Sequence, residues 1–216
     1  MSAIQDRFDL FVFDLDGTLA DTREDIASSV NHALQELRRP PLDLGTVTRF
    51  VGDGARTLLA RALGESAPEE EIEAALAAFL AHYRDACLNS SRLYEGVREA
   101  LDGLRSKTLA VLTNKPRYHS LKILRGLGIE HHFRWIQCGD DAWPKKPDPG
   151  GLLHLARAAG CAPGRGLFVG DSSVDIATAR AAHFPFAFVS YGFSPDAVAG
   201  QTVDLVLNDL RQVLDG

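Results

Sequence analysis

The chain has little of what marks a secreted, disulfide-bonded or membrane-bound protein. Only three of its 216 residues are cysteines, Cys87, Cys138 and Cys161, and they form neither a C-x-x-C pair nor a zinc-site spacing. We therefore expect free thiols in a reducing compartment. No apolar run is long enough to span a bilayer, and the first ten residues lack a basic segment followed by a long apolar stretch. These absences predict a cytoplasmic protein without membrane contact.

Positive charge is scarce as well. Lysine and arginine together number 23 against 29 acidic residues, the net charge is −6, and no basic run occurs. A nucleic-acid partner is therefore not expected. Only five of the basic residues are lysines, so the position of each lysine is informative.

Short apolar runs alternate with helical patterns along most of the chain. The runs predict buried strands at residues 8–13, 109–112, 134–138, 166–169, 186–189 and 204–206. Helical patterns cover residues 95–105, 116–127, 149–159 and 173–182. This alternation is typical of an α/β protein with a Rossmann-like, doubly wound parallel sheet.

One long segment interrupts this alternation, because residues 21–92 contain helical patterns and no convincing strand. The patterns lie at residues 26–37, 56–63 and 70–87. We therefore predict two domains, an α/β core formed by residues 1–20 and 93–216 and a helical cap formed by residues 21–92. The connections near Ala20 and Leu93 are predicted to act as hinges.

The stretch FVFDLDGTLADT, residues 11–22, places negative charge at the end of an apolar strand. Asp14 and Asp16 are two residues apart, so in extended backbone their side chains point the same way. Close carboxylates raise each other's pKa unless a cation lies among them. Gly17 follows at once and would let the backbone approach a ligand closely. The stretch therefore predicts a cation and ligand site at the end of the first strand.

Polar residues follow the later strands in the same way. They are Thr113, Asn114 and Lys115 after the second strand, Lys145 and Lys146 in the loop after the third, and Asp171 and Asp175 after the fourth. Ligands of open α/β sheets bind at the carboxyl ends of the strands, so these residues should converge on one edge. Carboxylates without histidine or cysteine ligands suit a hard cation such as Mg²⁺. Backbone amides at Gly17, together with Thr113 and one lysine, could hold a phosphate, whereas Lys115 is expected to be solvated.

Four motifs in chain order carry a resemblance to a known family. They are F-D-L-D-G-T-L followed by an aspartate, then L-T-N-K-P, then K-P-x-P, then V-G-D-S-x-x-D-I. Together they resemble the haloacid dehalogenase superfamily, and the match covers essentially the whole chain. The position of the helical insertion is similar to that of the small helical cap of this family. The resemblance implies a Mg²⁺-dependent phosphatase.

The resemblance also implies a covalent mechanism. Asp14 would attack phosphorus and form an aspartyl-phosphate. Asp16 would protonate the leaving alcohol and then deprotonate the attacking water. The Asp14 carboxylate, the Asp16 backbone carbonyl and Asp171 would bind Mg²⁺ together with the phosphate.

The remaining motif residues are implied to bind the phosphate or to support the site. The implied phosphate-binding residues are Asp16, Gly17, Thr113, Asn114 and Lys146. Lys146 is preferred to Lys145 as the catalytic lysine because the family pattern places that lysine directly before proline. Asp175 lies one helical turn after Asp171 and is expected to act behind the metal ligands.

Residue differences separate the branches of the superfamily. The dehalogenases lack the second aspartate of the first motif, and the phosphonate hydrolases need a cap lysine, which residues 21–92 do not contain. The stretch RFVGDGAR, residues 49–56, is similar to phosphoglycolate phosphatase-like members, although Glu95 stands where those members usually have proline. Arg56 is a candidate to bind a substrate carboxylate or a second phosphate.

The resemblance therefore favours a phosphatase for a small phosphomonoester, with 2-phosphoglycolate as the expected substrate. A sugar-phosphate phosphatase or phosphomutase, a nucleotidase and a pyrophosphatase remain alternatives. A phosphate-binding regulator without activity is the alternative of a different class, and the intact motif residues speak against it. We expect a small phosphorylated metabolite as partner and a monomer or a homodimer.

Overall fold

The computed structural model describes residues 3–64, 66–162 and 164–215. The strands are β1 (Leu10–Phe13), β2 (Ala20–Asp21), β3 (Arg92–Leu93), β4 (Thr108–Leu112), β5 (Trp135–Gln137), β6 (Gly166–Gly170), β7 (Phe186–Val189) and β8 (Leu205–Leu207). The α-helices are α1 (Ile4–Arg7), α2 (Arg23–Glu36), α3 (Leu44–Phe50), α4 (Ala55–Leu63), α5 (Glu69–Ala86), α6 (Val97–Gly103), α7 (Arg117–Gly126), α8 (Gly150–Ala158) and α9 (Ser173–Ala181). Short 3₁₀ helices lie at Glu130–His132, Pro195–Val198 and Leu210–Leu214.

The first strand lies inside a six-stranded sheet whose order is β5–β4–β1–β6–β7–β8. Neighbouring strands are parallel, and the register pairs Leu10 with Thr108 on one side and with Gly166 on the other. The carboxyl ends of β4, β1 and β6 therefore lie side by side. Polar residues that follow these strands are brought to one edge of the sheet, which is where open α/β proteins bind ligands.

Both faces of the sheet are covered, which explains why its strands are continuous apolar runs. Phe11 and Phe13 belong to a buried cluster that includes residues of α6 and α7. Leu10 and Val12 belong to a second cluster, with residues of α8 and α9. The predicted α/β class with a doubly wound parallel sheet is confirmed.

The six predicted strands of this sheet all form, with bounds that differ from the prediction by at most two residues. The largest difference is at the start of β1. Phe8 is apolar and buried at 3% exposure, which explains its inclusion in the predicted strand. It is the extended residue that follows α1, and its amide donates to Gln5 O, so the strand begins only at Leu10.

The sequence patterns did not predict the short elements α3, β2 and β3. The helix α3 has only seven residues, and its start is marked by Asp43, whose side chain accepts a hydrogen bond from Thr46 N at 2.9 Å. The strands β2 and β3 have two residues each, which is too short for an alternating pattern to be visible.

The helices α2–α5 all lie between β2 and β3, which form an antiparallel pair. In this pair Ala20 lies opposite Leu93, so the two connections to the helical segment are neighbours in space. The buried carboxylate of Asp25 at the start of α2 accepts backbone hydrogen bonds from Ser90 and Ser91 at 2.8–3.1 Å. The predicted division into a core and a cap that moves about these connections stays a prediction. Over the described ranges, no helix has the length and apolar character that crossing a membrane requires.

Candidate active site

The turn after β1 brings Asp14 and Asp16 to the edge of the sheet. The amide of Asp14 donates to Val169 O at 2.9 Å, which extends the pairing of β1 with β6 by one residue. Gly17 then turns the chain with a φ of +85°. A Cβ atom at Gly17 would lie 2.3 Å from Asp171 Oδ2. Glycine is therefore required here twice, for the left-handed backbone and for the close approach to Asp171.

Asp171 follows β6 and is held by two hydrogen bonds. Thr18 Oγ1 donates to Asp171 Oδ1 at 3.0 Å, and the backbone amide of Phe193 donates to Asp171 Oδ2 at 2.8 Å. The side chain is buried at 2% exposure. Burial, followed by repulsion from Asp175 and Asp14, raises the pKa of Asp171 well above its ordinary value. The carboxylate is thus fixed in place, and its anionic form is destabilised. A bound cation would stabilise that form.

The lysine directly before Pro147 lies among these carboxylates. Lys146 Nζ is 2.8 Å from Asp14 Oδ1 and 2.6 Å from Asp175 Oδ1. The second oxygen of Asp175 accepts hydrogen bonds from the Ser172 amide and hydroxyl at 3.1 and 2.6 Å. Lys146 is buried, whereas the neighbouring Lys145 is exposed. Of the two lysines considered from the sequence, the structure therefore places Lys146 in the site.

The buried Asp14 carries an incompletely compensated charge. Burial raises its pKa from 3.8 to about 7, although Lys146 lowers it and Asp175 raises it further. Lys146 Nζ approaches Asp14 Oδ1 at 2.8 Å as an ion pair, and no backbone amide or hydroxyl of the described residues donates a hydrogen bond to that oxygen. A buried carboxylate oxygen in this position is suited to a metal ion.

The acidic cluster fits a hard divalent cation. Oxygen atoms of Asp14, Asp171 and Asp175 all lie within 4.8 Å of one another. Both oxygens of Asp175 are already occupied by Lys146 and Ser172. Asp14 and Asp171 are therefore the side chains that would hold the ion, with Asp175 orienting Lys146 behind them.

Asp16 is paired with a lysine to which the sequence assigned no role. Lys115 Nζ lies 3.0 and 2.9 Å from the two carboxylate oxygens of Asp16, and Thr22 Oγ1 donates to Asp16 Oδ1 at 2.6 Å. Lys115 is buried at 7% exposure, so the expectation of a solvated residue is wrong. Burial lowers the pKa of its ammonium group, but Asp16 more than compensates and keeps that pKa raised. Lys115 is thus a fixed cation within the site.

The two residues after β4 have different surroundings. Thr113 lines the cleft, and its hydroxyl oxygen accepts a hydrogen bond from the Lys115 amide at 3.2 Å. The side chain of Asn114 donates to Gly52 O and Lys146 O at 2.9 Å, and it accepts from Lys146 N at 2.8 Å. Its two N–H groups and its oxygen are therefore occupied by backbone. Asn114 positions the Lys146 loop, and the structure does not direct its amide towards a phosphate.

These residues carry the four motifs, and a comparison with known families tests them. The sequence profile of the haloacid dehalogenase-like hydrolases matches residues 11–189, a range that contains every motif residue described above. The chain belongs to this family. The predicted family, fold class and enzyme class, a phosphoric monoester hydrolase of the haloacid dehalogenase type, are confirmed.

Individual relatives of this haloacid dehalogenase-like hydrolase are similar over most of its length. A protein named phosphoglycolate phosphatase from Pseudomonas putida is 40% identical over 214 residues, which cover 96% of this chain and 79% of that protein. One of the same name from Haemophilus influenzae is 37% identical, covering 96% of this chain and 97% of its own. The crystal structure of a predicted phosphoglycolate phosphatase from Haemophilus somnus is similar at a TM-score of 0.89 and 32% identity, covering 96% of this chain and 97% of that chain.

Arg56, the substrate candidate from the helical segment of this hydrolase, lies elsewhere. Its guanidinium forms ion pairs with Glu69 and with Glu73, the second at 3.0 Å, on an exposed surface. The cleft is lined by the neighbouring Ala55, whereas Arg56 is not among the described residues that line it. The structure therefore does not bring Arg56 to the motif residues, and the predicted substrate contact has no support in this arrangement.

Sequence reasoning missed two polar residues of the cleft. Tyr83 on α5 and His119 on α7 both line it, and their rings lie 5.1 Å apart between centroids. His119 is in the first turn of the helix that follows β4, so its closeness to the carboxyl edge of the sheet was a signal available in the sequence. No pattern indicated Tyr83, because a tyrosine on the buried face of an amphipathic helix is ordinarily a core residue.

Proposed function

We propose that the chain is a Mg²⁺-dependent phosphatase that hydrolyses a small phosphomonoester, with 2-phosphoglycolate as substrate. The observation that carries this proposal is the pair of buried carboxylates, Asp14 and Asp171, gathered beside the Lys146 ammonium. The substrate is supported by the relatives named phosphoglycolate phosphatase, at 40% and 37% identity. A cytoplasmic location and a monomeric or homodimeric state stay predictions.

The proposed reaction has two displacements at phosphorus. In the first, Asp14 forms a bond to phosphorus while the ester oxygen leaves and takes a proton from Asp16. In the second, a water molecule gives a proton to Asp16 and its oxygen displaces Asp14, releasing inorganic phosphate. The two carboxylates have different surroundings, since Asp14 lies with Lys146 and Asp16 with Lys115 and Thr22. The ion pair of Asp16 with Lys115 matches the ionised form that accepts the water proton in the second step.

Several residues would bind the phosphoryl group and offset its charge. Lys146 can move part of its interaction from Asp14 to a phosphoryl oxygen while Asp175 keeps its ammonium in place at 2.6 Å. The Thr113 hydroxyl has a hydrogen to donate, because its oxygen accepts from the Lys115 amide while its O–H group donates to none of the described residues. The backbone at Gly17 can approach the phosphate closely, because glycine has no side chain and adopts its φ of +85° without strain.

Mg²⁺ would be held by the carboxylates of Asp14 and Asp171, with the Asp16 backbone carbonyl as the third protein ligand. When bound, it would supply positive charge that reduces repulsion between the anionic nucleophile and the anionic substrate. The raised pKa values of Asp14 and Asp171 support this assignment, because both carboxylates are unfavourable as anions without a cation.

The stability of the metal-free protein should fall as the pH rises. The pKa of Asp14 is raised from 3.8 to about 7 in the folded protein. The stability that Asp14 contributes is therefore fully present below pH 3.8 and is lost as the pH rises through 7. Between pH 5 and pH 8 we expect the free energy of unfolding to decrease by about 2–3 kcal/mol from this group alone. Urea titrations in EDTA would measure this decrease. Saturating Mg²⁺ should reduce it, and an unchanged pH dependence with Mg²⁺ would count against the proposed ligands.

A substrate panel tests the proposed function. Purified protein with Mg²⁺ is given equal concentrations of 2-phosphoglycolate, ethyl phosphate, a hexose phosphate, a nucleoside monophosphate and pyrophosphate, and kcat/KM is measured by phosphate release. We expect the highest value for 2-phosphoglycolate. A hexose bisphosphate would reveal a mutase by formation of an isomer. Absence of phosphate release from every compound would refute the phosphatase proposal and favour the regulator.

A further inference from the structure

Three polar side chains, Lys115, Tyr83 and His119, form a buried polar cluster beside Asp16 that the proposed reaction does not use. Lys115 Nζ lies 4.8 Å from the centre of the Tyr83 ring, and the Tyr83 and His119 rings are 5.1 Å apart. All three line the same cleft as Asp14 and Asp16. Their exposed fractions are 7%, 2% and 5%, in that order.

The hydrogen-bonding capacity of the polar cluster is mostly unused. In the part of the chain that the structure describes, the Tyr83 hydroxyl and both ring nitrogens of His119 have no hydrogen-bond partner. The Lys115 ammonium lies within interaction distance of the Tyr83 hydroxyl, so the Tyr83 oxygen has a cationic neighbour, while its O–H group donates to no described residue. Buried polar groups normally have partners, so the unpartnered His119 nitrogens and the free Tyr83 O–H group in one cleft wall point to a ligand that supplies partners.

The available groups are mainly donors. Two of the three N–H groups of Lys115 point to the oxygens of Asp16, which leaves the third. Tyr83 offers its O–H group. His119 offers one ring N–H, since burial, followed by the charge of Lys115, lowers its pKa to about 4 and keeps the ring neutral. Donors on three side chains, one of them a cation, match an acceptor-only anion such as a carboxylate.

Lys115 lines the cleft, whereas the exposed Lys145 lies beside Gly54, another lining residue. The charged lining residues of the cleft, within the described ranges, are Asp14, Asp16, Asp171 and Lys115. The helical segment contributes apolar side chains to the remaining wall, namely Ile26, Leu58, Phe79 and Leu80. Of the charged lining residues only Lys115 is positive and it is buried, so an anionic group held inside the cleft would be directed to the polar cluster.

The distance from the reacting centre determines the size of the ligand. Lys115 Nζ is 2.9 Å from the nearer oxygen of Asp16, the carboxylate proposed to protonate the leaving oxygen. A group that binds Lys115 must therefore be attached within a few bonds of the ester oxygen. A carboxylate bonded directly to the ester CH₂ meets this condition, whereas the distant hydroxyl groups of a sugar do not.

We propose that Lys115, Tyr83 and His119 form the subsite that binds the carboxylate of a short phosphorylated 2-hydroxy acid. This proposal rests on the proposed phosphatase function and assigns its substrate selectivity to named residues. The Tyr83 oxygen and the His119 nitrogens are out of contact with solvent in this arrangement. Use of the subsite therefore requires α5, which carries Tyr83, to move away from α7, which carries His119.

The test compares 2-phosphoglycolate with ethyl phosphate, which has a methyl group in place of the carboxylate. For the wild-type protein we expect a kcat/KM ratio of these substrates of at least about 100. Lys115→Met should reduce this ratio at least about 30-fold, and Tyr83→Phe should reduce it by about 5- to 10-fold. The ratio cancels any general loss of rate caused by the contact of Lys115 with Asp16. Arg56→Met removes a cation from the exposed face of the helical segment and should leave the ratio unchanged.

The outcomes separate the subsite from the underlying function. Hydrolysis of both esters at similar kcat/KM would overturn the subsite while the phosphatase proposal stands, and so would a wild-type preference that both variants keep. A preference lost in Arg56→Met but kept in Lys115→Met would assign the carboxylate to Arg56 and overturn the subsite as well. Hydrolysis of neither ester would overturn both proposals. If Lys115→Met does not fold, Tyr83→Phe, which removes one oxygen atom, still decides the question.

Discussion

Replacement of Asp14 by asparagine should lower kcat by at least about four orders of magnitude. The amide cannot attack phosphorus, and it is a poorer ligand for Mg²⁺ than the carboxylate. The fold should persist, because the pKa of Asp14 is raised to about 7 by burial and the ionised carboxylate is unfavourable there. Steady-state phosphate release with Mg²⁺ measures the loss of activity, and circular dichroism measures the fold.

The same substitution at the opposite end of β1 provides a matched control. Asp9 is exposed and pairs with Arg165, far from the carboxyl edge of the sheet. Asp9→Asn should leave kcat within about twofold of wild type. If Asp14→Asn kept more than a few per cent of the wild-type rate in a folded protein, Asp14 would not be the nucleophile.

Of the proposed substitutions, Lys146→Met should lower the free energy of unfolding most. The ammonium group lies 2.8 Å from Asp14 and 2.6 Å from Asp175, and both carboxylates are buried. Removing the cation leaves two buried anions uncompensated, so we expect a loss of about 3–5 kcal/mol in the free energy of unfolding at pH 8 without Mg²⁺. At pH 5 the loss should be smaller, because Asp14 is protonated in the folded protein at that pH. Urea titrations at both pH values measure the difference.

Lys145 is the matched control for this prediction. It is adjacent in sequence and chemically identical, but its side chain is exposed near Gly54. Lys145→Met should change the free energy of unfolding by no more than about 0.5 kcal/mol. Equal effects of the two substitutions would mean that burial among the carboxylates does not determine the role of Lys146.

Both comparisons depend on a site whose outline was predictable from local patterns. A buried strand is an apolar run of four or five residues, and the parallel arrangement follows from alternation with helices. Parallel strands present their carboxyl ends at one edge. The meeting of Asp14, Asp171 and Lys146 therefore followed from their positions directly after strands or before a proline in the motif loop. Short elements such as α3 were missed because seven residues hold too little periodicity.

Side-chain partners could not be predicted in the same way. Lys115 and Asn114 are adjacent in the second motif, yet Lys115 lies buried against Asp16 while the Asn114 amide binds the backbone of Gly52 and Lys146. Which way each side chain turns depends on the loops that pack against it from distant parts of the chain. Only the assembled structure contains those contacts.

The helical segment shows most clearly the difference between what the sequence predicts and what only the folded structure decides. Its helices and its lack of lysine are visible in the amino-acid order, because periodicity and composition are local properties. The direction each helix faces is set by packing against its neighbours: α4 packs on α5, where Arg56 pairs with Glu69 and Glu73, and α5 brings Tyr83 to His119 of α7. The amino-acid order thus determined the chemistry at the strand ends, where backbone direction alone positions the side chains. The packing of the helices on the core determined which residues face that chemistry, because contacts between distant segments exist only in the folded chain.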